Sequence, residues 1–235
     1  MMSTLLAPRR NRQGATDARR AVLASRGRFW EPGDLALTPS TAHHLLGELE
    51  ARGELRRVRR GLYWRGTKTP LGMAPPPTER LIEALAPGPG VGPAGLSAAN
   101  LLRLSTQIPR RALVSVPDRA PSGAGSVAFV SRATRTGRAE AGLNATEVAA
   151  LEVLDGWTAV LEVTPDEATR RLTELLRGGD LRAERLTQAA ATEPGRTRAR
   201  LAALLHAAGR DDLAARIPSP DPRTRQSALA ALDAA

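Results

Sequence analysis

Residues 38–66, TPSTAHHLLGELEARGELRRVRRGLYWRG, leave little freedom of structure. Thr38 followed by Pro39 starts a helix, because threonine can cap the free N–H groups and proline loses no hydrogen bond in the first turn. Ala42, Leu45, Leu46 and Leu49 then recur at spacings of three and four, one buried stripe. Ser40, Thr41, His43, His44, Gly47 and Glu48 are left on or near the open face. Gly53 is placed to end the helix in a left-handed conformation. Leu55 restarts the core, and Arg56, Arg57, Arg59 and Arg60 follow around Val58. Arg60-Gly61 offers a turn, and Leu62, Tyr63 and Trp64 return as a short strand of high β-propensity. Leu55 and Val58 differ in parity, so a regular strand cannot bury both; a bulge or a late strand start is predicted.

Upstream, Asp17 to Ser25 reads as a helix with Ala18, Ala21, Val22 and Ala24 on its weakly apolar side. Phe29-Trp30 is a buried anchor, and Glu31 to Leu37 is a short second helix with Pro32 in its first turn. Helix, anchor, short helix, capped helix and basic hairpin, in that order, are the parts of a winged helix-turn-helix. A helix of this kind can meet base edges in the major groove, and a basic hairpin beside it can hold phosphates. Ser40, Thr41, His43 and His44 are the candidate base-facing residues. Arg56, Arg57, Arg59, Arg60 and Arg65 are the candidate phosphate or minor-groove contacts, with Tyr63 and Lys68 completing the set. Arg9, Arg10 and Arg12 are expected to add mobile phosphate contacts. The competing readings are a solvated basic hairpin and a winged helix that binds protein.

The charge distribution agrees with the first reading. The chain of 235 residues has a net charge of +10. Residues 1–68 carry 14 Arg or Lys against 6 Asp or Glu, and residues 69–235 carry 20 against 18. The electrostatic footprint therefore lies on the helix-and-hairpin region. Lys68 is the only lysine. Arginine's fork suits phosphate and guanine, although GC-rich coding produces the same bias. Cysteine is absent, which removes disulfides and thiolate chemistry and fits a reducing compartment. No signal-like or membrane-length apolar run is present, so a cytoplasmic location is expected.

The expected organisation is a basic flexible tail over 1–15, a winged helix over 16–69, a Pro/Gly linker over 70–77, a second domain over 78–217 and a frayed tail over 218–235. In the second domain Thr78 is expected to cap a helix of Leu81, Ile82 and Leu85. Ser97 to Leu104 reads as a helix with a capping serine. Ala112–Val116 and Val127–Val130 read as strands with a turn at Ser122 to Gly125 between them. Ala145 to Leu154 reads as a helix with Val148, Ala149, Leu151 and Leu154 on one side. Further helices are predicted at about 165–177, 180–191 and 195–208. The whole is α+β: a winged helix-turn-helix followed by a mixed α/β domain with a helical end.

Tests for catalysis come out negative. Gly90-Val91-Gly92-Pro93-Ala94-Gly95 matches the dinucleotide fingerprint, but a predicted helix precedes it where a strand is needed. Pro87, Pro89 and Pro93 also remove N–H donors from the loop. His43, His44 and His206 are too few and too dispersed for a metal, so none is expected. His206, in an Ala/Leu helix, reads as structural. The carboxylates, mostly beside arginines on helices, read as surface ion pairs. No cofactor and no enzymatic activity are expected.

The chain resembles the AbiEi antitoxins of actinobacterial type, the transcriptional-regulator half of the type IV AbiE toxin–antitoxin modules. The resemblance rests on RRVRRGLYWRG, TKTPLGMAPPPTERLIEAL, GLSAANLLRLSTQIPRRALVSVPDR, NATEVAALEVLDGW and AAATEPGRTRARLAALLHAAG. It implies repression of the protein's own operon through double-stranded DNA carrying inverted repeats upstream of it. It also implies a C-terminal domain required for antitoxicity, and a cognate nucleotidyltransferase-type toxin as functional and in some cases physical partner. Ser40, Thr41, His44 and the arginines from Arg56 to Arg65 are the residues carried over. Arg103 stands where the family commonly has a small residue, and Ser105 where threonine is usual. The alternative implied is an antitoxin whose C-terminal domain binds or modifies the toxin.

Overall fold

The computed structural model describes residues 7–232, with the backbone alone over 7–12. The chain divides into two compact units between Ala84 and Leu85. The predicted tail over 1–15 is corrected: residues 1–6 lie outside the described residues, and residues 7–15 open helix α1 (Ala7–Ala24). Alanine and straight-chain arginine are strong helix formers, and Val22 anchors the helix by burial. Arg9, Arg10 and Arg12 thus stand on helical backbone rather than on a mobile arm.

The first unit continues with β1 (Arg28–Trp30), a single 3-10 turn at Pro32–Asp34, α2 (Pro39–Ala51), β2 (Arg56–Arg59) and β3 (Leu62–Arg65). The 3-10 turn replaces the helix predicted over Glu31–Leu37. The Asp34 carboxylate accepts the Glu31 N–H at 2.7 Å and closes the turn on itself. The three strands form an antiparallel sheet in the order β1-β3-β2. Val22, Trp30, Leu35, Leu45, Leu46, Leu49, Leu55 and Tyr63 share one core. The predicted linker over 70–77 is also corrected in part. Its first residues belong to a small hairpin, β4 (Lys68–Thr69) and β5 (Gly72–Met73), and Met73 is buried. Helix α3 (Thr78–Leu85) follows, and Thr78 is its first residue.

The second unit comprises β6 (Gly92–Pro93), α4 (Gly95–Leu101), β7 (Ala112–Val116), β8 (Val127–Ser131), α5 (Gly137–Glu140), α6 (Ala145–Asp155), α7 (Trp157–Val160), α8 (Pro165–Gly178), α9 (Ala183–Ala189), α10 (Gly195–Ala207), α11 (Asp211–Ala214) and α12 (Pro222–Ala230). Its sheet has the order β6-β7-β8. β6 is antiparallel to β7, whereas β7 and β8 are parallel, in register from Ala112↔Val127 to Val116↔Ser131. Residues 117–126 therefore return the chain a full strand length without a helix.

Three local expectations change, and the Gly90–Gly95 segment acquires a packing role. Ser97 does not cap α4; the helix begins at Gly95, and the Ser97 hydroxyl accepts the Leu113 N–H at 3.0 Å. In the Gly90–Gly95 segment, a Cβ on Gly92 would lie 2.7 Å from Val148 and one on Gly90 2.8 Å from the Ala139 nitrogen, so these glycines serve close backbone packing. Helix α6 is buried on every side from Glu147 to Leu154, not along one face. The supposed frayed tail over 218–235 holds α12, which packs on α10; Ala228 and Leu232 are buried, and the Trp157 indole N–H donates to the Ala231 carbonyl at 2.9 Å.

Some carboxylates of this unit are surface ion pairs as expected, such as Glu174 with Arg170 and Glu184 with Arg210, but Glu152 and Glu193 are buried and Asp155 is partly so. Arg138, fully buried, donates to Glu193 at 2.6 and 2.9 Å and to Glu152 at 2.7 Å. Arg132 holds Glu152 with two bonds of 2.8 Å, and Arg135 joins Glu152 to Asp155. Burial pushes the Glu152 carboxyl up, but Arg132 and Arg138 more than offset it and hold it below the ordinary value. Asp155 behaves likewise, with Arg196 and Arg135 outweighing burial. His206, predicted as structural, is exposed beside Asp211.

Candidate nucleic-acid interface

Thr38 caps α2 as its sequence dictates: its hydroxyl oxygen accepts the Thr41 N–H at 3.4 Å, with Pro39 in the first turn. The stripe of Ala42, Leu45, Leu46 and Leu49 is buried. That fixes the roll of the helix and turns Ser40, His43 and His44 to solvent. Thr41 is half-buried, and its hydroxyl lies 2.8 Å from that of Thr38, so it belongs to the cap. Glu48 ties the helix to α1 through Arg19 at 2.5 Å, and this bond holds its carboxyl below the ordinary value.

The chain leaves α2 through Gly53 at φ +68°, and β2 begins at Arg56. The ladder shifts register between Arg57 and Arg59, which places the bulge at Val58. Arg57 and Arg60 are exposed and Arg59 half-exposed. None of the three side chains makes an ion pair or hydrogen bond among the described residues.

Four other predicted contacts are committed elsewhere. Tyr63, only 6% exposed, lies in the core, because β3 turns it toward the helices. Arg65 reaches the Leu23 carbonyl at 3.4 Å and Glu54 at 3.6 Å. Lys68 binds Glu54 at 2.6 Å, and this bond depresses the Glu54 carboxyl. Arg56 donates to the Met73 carbonyl at 3.2 Å. Tyr63 is a core residue, and Arg56, Arg65 and Lys68 staple the two hairpins together. The open set reduces to Ser40, His43, His44, Arg57, Arg59 and Arg60. Sequence reading missed Arg28, exposed on the edge strand β1 and stacked over the Trp30 ring with its guanidinium 4.0 Å from the centroid. No group of residues that could hold a metal occurs among the described residues, and no described helix is long and apolar enough to cross a membrane.

The chain is thus an α+β protein of two units, the first carrying an open helix face and a basic hairpin. No protein-family model matches it, and no curated protein matches it. Among solved structures it is similar to the crystal structure of the RV2827C protein from Mycobacterium tuberculosis, at 20% identity and a TM-score of 0.51, over 88% of this chain and 83% of that one. At that identity the likeness concerns the fold.

Proposed function

We propose that the first unit is a winged helix-turn-helix that binds duplex DNA, and that the protein is an AbiEi-type antitoxin repressing transcription of its own operon. One observation carries the DNA-binding part. Arg57, Arg59 and Arg60 crowd one end of a hairpin that shares its core with α2, and no carboxylate among the described residues neutralises them. Paired arginines satisfy a fold; unpaired ones at this density favour a polyanion. The α2 face supplies Ser40, His43 and His44 as short polar groups able to meet base edges.

Fluorescence anisotropy against the DNA upstream of its own gene, beside a scrambled duplex and across a salt series, tests this reading. Salt-sensitive binding that favours the native duplex by about 10³ or more supports a specific regulator. Equal, weak binding to both duplexes overturns it.

A second reading concerns the second unit. Ile108 is 86% and Leu101 48% exposed. The loop that carries Ile108 is held by Glu162, which accepts the Thr106 N–H at 2.5 Å and its hydroxyl at 2.9 Å; these donors, the backbone N–H first, bring the Glu162 carboxyl down to about 2. Beside the loop lies a shallow cavity of about 480 Å³, and Arg103 borders it at φ +59°. A left-handed arginine stores strain of about 1–3 kcal/mol. A rigid loop with apolar tips and a strained, exposed arginine favours contact with a protein, such as a nucleotidyltransferase-type toxin. Ile108→Glu is expected to abolish co-purification with the product of the neighbouring gene while leaving DNA binding unchanged; retention of the complex removes this reading.

A further inference from the structure

Residues 1–84 carry 15 Arg or Lys against 8 Asp or Glu. Among the described residues of that unit, Leu71 is the one large apolar side chain that stands exposed, and it is exposed completely. It occupies the tip of the β4–β5 hairpin, next to the exposed Pro70.

The tip is built to hold it there. The Thr69 hydroxyl oxygen accepts the Leu71 N–H at 3.2 Å, and the hydroxyl donates to the Gly72 carbonyl at 2.8 Å. Gly72 sits at φ +104°, a conformation that a side chain would strain. The base of the hairpin is equally fixed. The Met73 sulfur accepts the Gly66 N–H at 3.2 Å, Arg56 donates to the Met73 carbonyl, and Lys68 is bound to Glu54. Arg56 opens β2, and the Arg60-Gly61 turn lies beyond its far end. The Arg60-Gly61 turn and the base of the β4–β5 hairpin therefore lie at opposite ends of one ladder about 10–13 Å long.

Resting on the DNA-binding reading above, we infer that the β4–β5 hairpin is a second DNA-contacting wing whose Leu71 enters the minor groove and wedges between two base pairs. Apolar side chains such as leucine and proline serve as wedges where a positively charged surface brings them against the groove floor. A wedge needs a single apolar group on a backbone that does not yield, and a cationic frame to hold the duplex against it. Leu71, the locked tip and the unpaired arginines of the first hairpin meet those needs. An apolar partner protein would instead call for a contiguous patch, and among the described residues of its unit no other large apolar side chain stands exposed beside Leu71.

The test uses the full chain and duplexes tiled across the DNA upstream of its own gene, each carrying a fluorescent adenine analogue at a different step and a donor–acceptor pair at its ends. The wild-type protein is expected to brighten the analogue at one step and bring the duplex ends closer. Leu71→Ala should bind with an unchanged salt slope and about tenfold lower affinity, and lose both signals. Leu71→Phe should keep them. Leu71 is fully exposed, so neither variant threatens the fold. Binding by the wild type without unstacking or bending overturns the wedge and leaves the DNA-binding reading standing. Retention of both signals by Leu71→Ala overturns it as well, as does loss of self-association by that variant in the absence of DNA. A wild-type protein that binds no duplex removes both readings together.

Discussion

Arg59 ends β2 and Arg60 opens the tight turn, and they hold no carboxylate among the described residues, whereas Arg56 and Arg65, at the other end of the same hairpin, donate to main-chain carbonyls. Replacing Arg59 and Arg60 by alanine is expected to weaken binding to every duplex alike and to flatten the salt dependence by about two units, read from anisotropy titrations. An unchanged slope removes the hairpin from the interface. His44→Ala should change sequence preference more than affinity, and an equal loss on every sequence demotes it to a backbone contact. Arg138 represents the opposite use of the same side chain. It is wholly buried, and its removal leaves Glu193 with Arg135 alone at 3.5 Å and takes one of the partners of Glu152. Arg138→Leu is expected to cost about 3–5 kcal/mol, measured by urea unfolding and read from Trp157, the tryptophan of the second unit. A cost below about 1 kcal/mol would show that water reaches the cluster.

At the scale of elements, what could be read from the sequence followed period and caps. α2 was legible because Thr38-Pro39 starts it, Gly53 ends it and four apolar residues repeat between them. The strand Ala112–Val116 was legible from its β-branched residues. Tertiary context hid the rest. β1 is three residues long and is a strand because β3 pairs with it. α12 has a cap at Asp221, but its apolar residues are small and few, so its docking on α10 does not show in its pattern. The candidate site was half legible: exposure of His44, Arg57 and Arg60 follows from periodicity, but Tyr63 and Arg65 face inward for reasons that sit in α1 and β4–β5. Deleting residues 218–235 is expected to unpair the Trp157 N–H and the Arg200 bond to Ala228, and to lower the midpoint of thermal unfolding by at least several degrees. A truncated chain that melts with the full one would make α12 an accessory.

For the molecule as a whole, acid is the expected weakness. Glu147, Glu152 and Asp155 all have folded pKa values below their ordinary 4.5 and 3.8. Groups depressed in this way add stability above their unfolded values, and that stability is lost as pH falls through the folded ones. Stability should therefore be insensitive to these groups near neutrality, then decline below about pH 4.5 with net proton uptake on unfolding. Thermal midpoints across a pH series check it, and a midpoint that rises on acidification contradicts it. Most of the loss belongs to the second unit, where these more buried carboxylates lie; Glu48 and Glu54 act in the same direction in the first unit from less buried positions, so Trp30 and Trp64 should report a smaller acid effect.

The parallel pairing of β7 with β8 bears on how the second unit forms. Antiparallel strands zip outward from their turn, but parallel partners are usually joined by a dozen or more residues that must close first. Here residues 117–126 make the return without a helix to guide them, and Gly123 passes so near Val127 that a Cβ would lie 2.7 Å from its carbonyl oxygen. The turn at Ala124–Val127 leads into β8 alone and does not join β7 to it, so the ladder should mature after the helices around α6 have gathered. Pulse-labelled hydrogen exchange during refolding would show this as late protection of the amides bridging β7 and β8, well behind those of α6 and α10.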